Sequence, residues 1–282
     1  MFTEGAMDKT LHFIAGLPRS GSTLLCNLLL QNPKFHATGT SPLCEMLISS
    51  RNQMDNLPDY RAMPEKNRIA IKMNVMRGIA SHYYDDIERD VVFDKCRAWP
   101  AYIETLEDVL DRKVKILVTV RDLRDVLTSL EMLWRKNKGK MPITQETANL
   151  YQFQTLEGRC NVYCQNNQLV GVAVNQIKDA VTRGFRDRME FVDFKTLTEV
   201  PSKAMKNIYG FLDEPEFQHN YDQVDQIVQE DDYAYNFPGL HTIRNKVEKV
   251  KSQWREVLGE KLGMAYAPEA VFWKKFDSGE ED

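Results

Sequence analysis

The 282-residue chain lacks any run approaching the roughly 20 apolar residues that a helical membrane span requires. Its start, Met1-Phe-Thr-Glu-Gly-Ala-Met-Asp-Lys9, lacks the basic-then-apolar order of a secretory signal, so a cytoplasmic location is expected. Cysteine is scarce. Cys26, Cys44, Cys96, Cys160 and Cys164 make an odd set without secretory context, which excludes a disulfide scaffold and predicts reduced thiols. Cys160 and Cys164 are spaced to share a helix face, but no second Cys or His pair stands nearby at metal spacing, so they read as buried thiols and no metal is expected. A basic excess is missing too: 37 Lys+Arg against 41 Asp+Glu leave a net charge of −4. That balance disfavours nucleic-acid polymers, whose affinity comes mainly from counterion release by Lys and Arg. It leaves room for a local basic pocket around one phosphorylated small molecule. Internal repeats, low-complexity tracts and a convincing interdomain linker are also absent.

What remains is a chain 43% hydrophobic and 28% charged, near the upper size for one hydrophobic core. Residues 11–17, 91–94, 114–120 and 189–193 read as strands, and 114–120, apolar on both faces, reads as a central parallel one. Helices are expected over about 24–30, 69–87, 101–110, 121–135, 146–157, 169–181, 203–212 and 247–258. Parallel strands need crossovers, so this alternation predicts one α/β domain with a mainly parallel sheet flanked by helices. Its core runs from about 11 to 258, with insertions at about 40–68 and at 216–240, which is acidic, aromatic and aperiodic, and a charged C-terminal tail.

Gly16-Leu-Pro-Arg-Ser-Gly21-Ser22-Thr23 has the glycine spacing of a phosphate-binding loop between strand and helix, with Ser22 where nucleotide triphosphatases carry lysine. Without that lysine the triphosphate tail loses its cation and the loop suits a single 5′-phosphoryl group. The amides of Ser20, Gly21, Ser22, Thr23 and Leu24 would cradle the anion and Arg19 would supply the charge. Pro18-Arg-Ser-Gly-Ser-Thr-Leu24 resembles the 5′-phosphosulfate loop of sulfotransferases that use 3′-phosphoadenosine 5′-phosphosulfate (PAPS), including bacterial and tyrosylprotein members. The family's second signature, an Arg at a strand end and a Ser eight residues on, is matched by Arg121 and Ser129; the resemblance implies that they bind the 3′-phosphate. Two weaker similarities are Phe191-Val-Asp-Phe-Lys-Thr-Leu197 with Tyr209-Gly-Phe-Leu212, and the basic loop around Arg244 and Lys246, which would lie over the 3′-phosphate.

The resemblance implies a three-layer, P-loop-like domain that moves the sulfuryl group of PAPS to a hydroxyl or amine and releases 3′,5′-ADP. The acceptor would be a small molecule, carbohydrate, lipid or peptide tyrosine. Lys95, at a strand end like the catalytic lysine of related enzymes, would join Arg19 in stabilising the leaving phosphate oxygen, with Arg97 adding charge. The general base departs from both family patterns. Gly39 is followed by Thr40-Ser41-Pro42 rather than an acid, and Arg97 stands where the cytosolic type has histidine; Glu45 is the first candidate, with His36 and Asp94 behind it. A P-loop kinase with an altered lysine and a nucleotide-binding module without activity are the alternatives.

Overall fold

The computed structural model describes residues 9–137, 150–235 and 237–278. Five strands, β1 (Thr10–Gly16), β2 (Phe35–Thr40), β3 (Val91–Lys95), β4 (Ile116–Val120) and β5 (Met189–Asp193), form one sheet in the order β2-β3-β1-β4-β5. Every pairing is parallel. The helices are α1 (Ser22–Leu29), α2 (Leu43–Asn56), α3 (Pro58–Arg61), α4 (Glu65–His82), α5 (Ile103–Leu110), α6 (Leu123–Asn137), α7 (Leu150–Phe153), α8 (Leu156–Tyr163), α9 (Leu169–Thr182), α10 (Phe194–Glu199), α11 (Pro201–Leu212), α12 (Trp254–Val257), α13 (Glu260–Ala265) and α14 (Lys275–Ser278).

Successive side chains of a strand point to opposite faces, and both faces here are covered. Leu11, Phe13, Ala15, Ile116, Val118 and Val120 pack on one side against α2, α5, α6, α8 and α9. Ile14 and Leu117 pack on the other against α1, α10 and α11. The sheet with its two helical layers is the three-layer α/β architecture that the strand and helix alternation predicts. From β1 the winding runs to one edge through β3 and β2, and from β4 to the other edge, so β1 and β4 flank the point of reversal. Crevices at such points, beyond the strand C-termini, are where open α/β sheets bind ligands.

Some elements differ from expectation, each for a physical reason. Strand β2 escapes sequence reading because Phe35-His-Ala-Thr-Gly-Thr40 lies at the sheet edge and buries only Phe35 and Ala37. Residues 40–68 are mostly helical in α2, α3 and the start of α4; the periodicity is faint because α2 buries only Leu43, Cys44 and Leu47, and α4 only Met76 and Ala80. The run expected as a central parallel strand is β4, which lies inside the sheet between β1 and β5, parallel to both and buried on both faces. The helix expected over 247–258 is confined to α12, and 247–253 is irregular. Of the helix expected over 146–157, residues 146–149 lie outside the described residues, and the rest divides into α7 and α8. Residues 216–240 carry no helix or strand among those described. Among the described residues, no helix is long and apolar enough to cross a membrane, and no group of His, Cys, Asp and Glu could hold a metal ion.

Candidate active site

The loop after β1 is shaped by three residues in the left-handed region: Gly16 (φ 131°), Arg19 (φ 58°) and Gly21 (φ 91°). Gly16 lies so close to β4 that a Cβ there would fall 2.1 Å from the Thr119 carbonyl oxygen. The conformation of Arg19 costs a non-glycine residue about 1–3 kcal/mol, and its neighbours hold it in place. Ser20 is wholly buried, and its Oγ meets the Leu17 carbonyl at 2.6 Å, the Thr119 carbonyl at 3.0 Å and Thr119 Oγ1 at 2.7 Å. The hydroxyl therefore fastens the loop to β4. The first backbone bond of α1 runs from Leu25 N–H to Gly21 O, and no side chain caps the helix. The amides of Ser22, Thr23 and Leu24 are thus without intrahelical acceptors at the positive end of the helix dipole.

Arg19 extends from this loop across the crevice. Its Nε donates to Ser129 Oγ at 3.0 Å, and its Nη1 donates to the carbonyls of Gly239 and Leu240. Arg121 closes β4 and donates from Nη1 to the Arg19 carbonyl at 3.0 Å, while its guanidinium lies 4.3 Å over the Phe194 ring. The same ring fills the space that Gly21 leaves open, where a Cβ would meet it at 2.8 Å. Burial pulls both guanidinium pKa values below the usual arginine range, Arg121 to about 10, with the Arg19 charge adding to the effect at Arg121. The Arg121 Nε is buried with no hydrogen-bond partner. Asp122 caps α6, accepting from Arg124 N at 2.9 Å, and sets the helix that presents Ser129.

A second cluster stands at the end of β3. Lys95 Nζ pairs with Glu230 Oε1 at 2.5 Å, with 7% and 6% of the two side chains exposed. Glu230 enters from the irregular 216–240 arm over Gly39, where a Cβ would meet its Cγ at 2.9 Å. Its Oε2 lies 3.5 Å from His241 Nε2, and His241 Nδ1 contacts Asp232 Oδ1 at 2.6 Å. Burial pushes the Glu230 carboxyl up, but the charge and hydrogen bond of Lys95, with smaller help from Thr40 and His241, together leave it below the usual range. Burial, with Lys95 second, lowers the His241 pKa. The arm is pinned to α1 by Asn27, whose Oδ1 accepts from the amides of Ile227 (2.6 Å) and Val228 (3.0 Å) while its Nδ2 donates to Thr23 O at 2.8 Å.

Both clusters open into one cavity of about 770 Å³. The sequence model described as the sulfotransferase domain matches residues 9–255. The chain belongs to the sulfotransferase family. It is accordingly an enzyme of sulfuryl transfer, and the kinase and inactive-module alternatives are not favoured. Among solved structures, the sulfotransferase domain from the curacin biosynthetic pathway is similar with a TM-score of 0.54 at 14% identity, covering 93% of this chain and 97% of that one. Mouse sulfotransferase SULT7A1, solved in complex with PAP, is similar with a TM-score of 0.50 at 12% identity, covering 97% of this chain and 86% of the mouse chain. At these identities the likeness is one of fold. No curated protein matches the sequence.

In this sulfotransferase the cavity brings together most of the residues singled out from the sequence. Arg19, Gly21, Ser22, Thr23 and Leu24 line it with Lys95, Arg97, Arg121, Ser129 and Arg244. Arg244 is exposed and pairs with Glu248 at 2.7 Å. The Ser20 hydroxyl faces β4, as described above. The three base candidates are placed elsewhere. Glu45 is exposed on α2, accepts from Ser49 Oγ at 2.6 Å and does not line the cavity. His36 sits half-buried on β2 beside the Tyr84 ring, and Asp94 is wholly buried, bonded to Tyr84 Oη at 2.5 Å and Trp99 Nε1 at 2.8 Å. Sequence reasoning missed Glu230, Asp232 and His241. The acidic, aromatic composition of 216–240 was the one signal, and it gives no partner for Lys95 on the far side of the chain.

Proposed function

We propose that the sulfuryl donor of this sulfotransferase is PAPS. Arg19 and the amides at the start of α1 hold its 5′ end, and Arg121 and Ser129 hold the 3′-phosphate with Arg97 and Arg244 at the rim. Lys95 stabilises charge on the phosphate oxygen that the sulfuryl group leaves. The observation that carries this reading is the pair of half-buried guanidinium groups of Arg19 and Arg121, which are adjacent and make no ion pair among the described residues. Two desolvated cations side by side are stabilised by a polyanion placed between or upon them. The unpartnered Arg121 Nε supplies an open donor for it. Sulfuryl transfer asks the protein to align two partners and to stabilise charge on the departing oxygen, as phosphoryl transfer does.

The acceptor is a hydroxyl or amine carried on a small and largely apolar body. Leu133, Leu169, Val172 and Phe237 line part of the cavity, with Gln176 and Tyr163 among them to orient a polar group. The enzyme works in the cytoplasm, without a metal. Calorimetry tests the donor: 3′,5′-ADP is expected to bind equally well with and without EDTA, and ATP with magnesium weakly. Preference for magnesium ATP with no response to 3′,5′-ADP overturns the reading.

A further inference from the structure

We propose that His241 is the general base of the transfer, with Asp232 and Glu230 as its positioning residues. The inference rests on the sulfotransferase reading of the cavity and adds the proton acceptor that its chemistry requires.

The geometry is that of an oriented imidazole. His241 lines the cavity, as do Lys95 and the Tyr235 ring, whose centroid lies 5.4 Å from that of His241. Its Nδ1 lies 2.6 Å from Asp232 Oδ1, and its backbone N–H donates to Oδ2 of the same carboxylate at 3.2 Å. A carboxylate only accepts, so Nδ1 carries a proton, and in the neutral ring Nε2 then keeps its lone pair. The backbone on the other side is held by Gln226, which donates from Nε2 to the His241 carbonyl at 3.1 Å and accepts from Ile243 N at 3.2 Å. Ring and main chain are therefore both fixed.

Nε2 faces Glu230 Oε2 at 3.5 Å, and that oxygen makes no hydrogen bond. A hydroxyl seated in the cavity beside this pair, rather than between the two atoms, is the O–H donor that Nε2 would accept from. Glu230 is held as an anion by Lys95 through its other oxygen. The charged and titratable groups around the ring are Asp232, Glu230 and Lys95, with Arg19 near Asp232. Burial and the Lys95 cation disfavour the imidazolium, so the resting ring is neutral near pH 7.

In the step, the acceptor oxygen forms a bond to sulfur as the bond from sulfur to the bridging phosphate oxygen breaks. The hydroxyl proton passes to Nε2, the electron pair of the broken bond stays on the 5′-phosphate of 3′,5′-ADP, and the sulfate ester departs. Asp232 stabilises the imidazolium that forms, and Lys95, held by Glu230, would stabilise the leaving oxygen.

The first test needs no variant. With ¹⁵N-labelled histidine, NMR at pH 7.5 with and without 3′,5′-ADP is expected to show His241 as the neutral Nδ1–H tautomer; an imidazolium or an Nε2–H tautomer overturns the proposal. The second measures transfer from ³⁵S-PAPS to 2-naphthol and to water. His241→Gln is expected to lower kcat about 10²–10⁴-fold while the 3′,5′-ADP dissociation constant stays within about twofold, and kcat within about threefold of the wild type overturns it. Asp232→Asn is expected to shift the acidic limb of the kcat profile, which loss of packing alone does not do. Failure of the wild type to bind 3′,5′-ADP counts against the donor assignment, whereas the tautomer of the free protein still decides the base.

Discussion

The crevice is built in two ways. The loop after β1 is one contiguous stretch from Gly16 to Leu24, in which Gly16 and Gly21 take left-handed backbone and the Ser20 hydroxyl fastens it to β4. The cluster around Lys95 draws one residue from β3, two from an arm more than 130 residues later and His241 from the position that follows it; Lys95 and Glu230 are 135 positions apart. A local site announces itself by spacing. An assembled one exists only after folding, and its members have no fixed offset from one another.

The difference yields an ordered set of tests. The largest effect is expected from Lys95→Ala. It removes a cation near the leaving oxygen, for a loss of about 10²–10³ in kcat, and strands Glu230 as a buried charge, for about 3–5 kcal/mol of stability. The double variant Lys95→Met with Glu230→Gln is expected to recover most of the melting temperature and none of the rate. Recovery of rate would show that Lys95 serves only to neutralise Glu230. Arg121→Ala comes next. Its loss is expected to weaken 3′,5′-ADP binding by about 1.5–3 kcal/mol in calorimetry, the range for a hydrogen bond to a charged group. An unchanged dissociation constant would misplace the 3′-phosphate.

Asn27→Ala joins the two regions in one experiment. Two arm amides lose their acceptor, at about 1–2 kcal/mol of stability by thermal unfolding, and sulfate transfer is expected to fall more than nucleotide affinity. Equal falls would mean that the arm supports the loop as much as it supports Lys95. The smallest effect is expected from Arg244→Ala, because that side chain is 61% exposed and already paired with Glu248. A change below about 1 kcal/mol in 3′,5′-ADP binding is expected, as for other solvent-screened charges. A larger one would mean that the loop closes over bound nucleotide.

How much was legible follows the same division. The apolar runs that became β1, β3 and β4 declared themselves because interior parallel strands bury both faces, β5 showed itself at the other edge through Met189, Phe191 and Val192, and Arg121 and Ser129 were singled out through the family resemblance. Strand β2 stayed hidden because an edge strand with His36, Thr38 and Thr40 on it shows no apolar run. Glu45 was chosen because it is the first acid after Gly39 in sequence. The acid that the structure places against Gly39 is Glu230, delivered from the arm, while Glu45 faces out from α2. Ser20 illustrates a related limit, since a hydroxyl in a phosphate-type loop reads the same whether it faces a ligand or fastens the loop to β4.

The contact between Asn27 and the amides of Ile227 and Val228 spans 200 and 201 positions, and it orders events during synthesis. All five strands and the 5′ loop are in place by Asp193. A nascent chain emerging from the ribosome to Leu212 thus holds the whole sheet and the anion-binding loop, yet neither Glu230 nor His241 has been made. Domains form from the N-terminus as they emerge, so on the proposed assignments the growing polypeptide passes through a stage equipped to capture nucleotide but not to turn it over. Competence arrives only when the last quarter of the chain folds back onto its first helix.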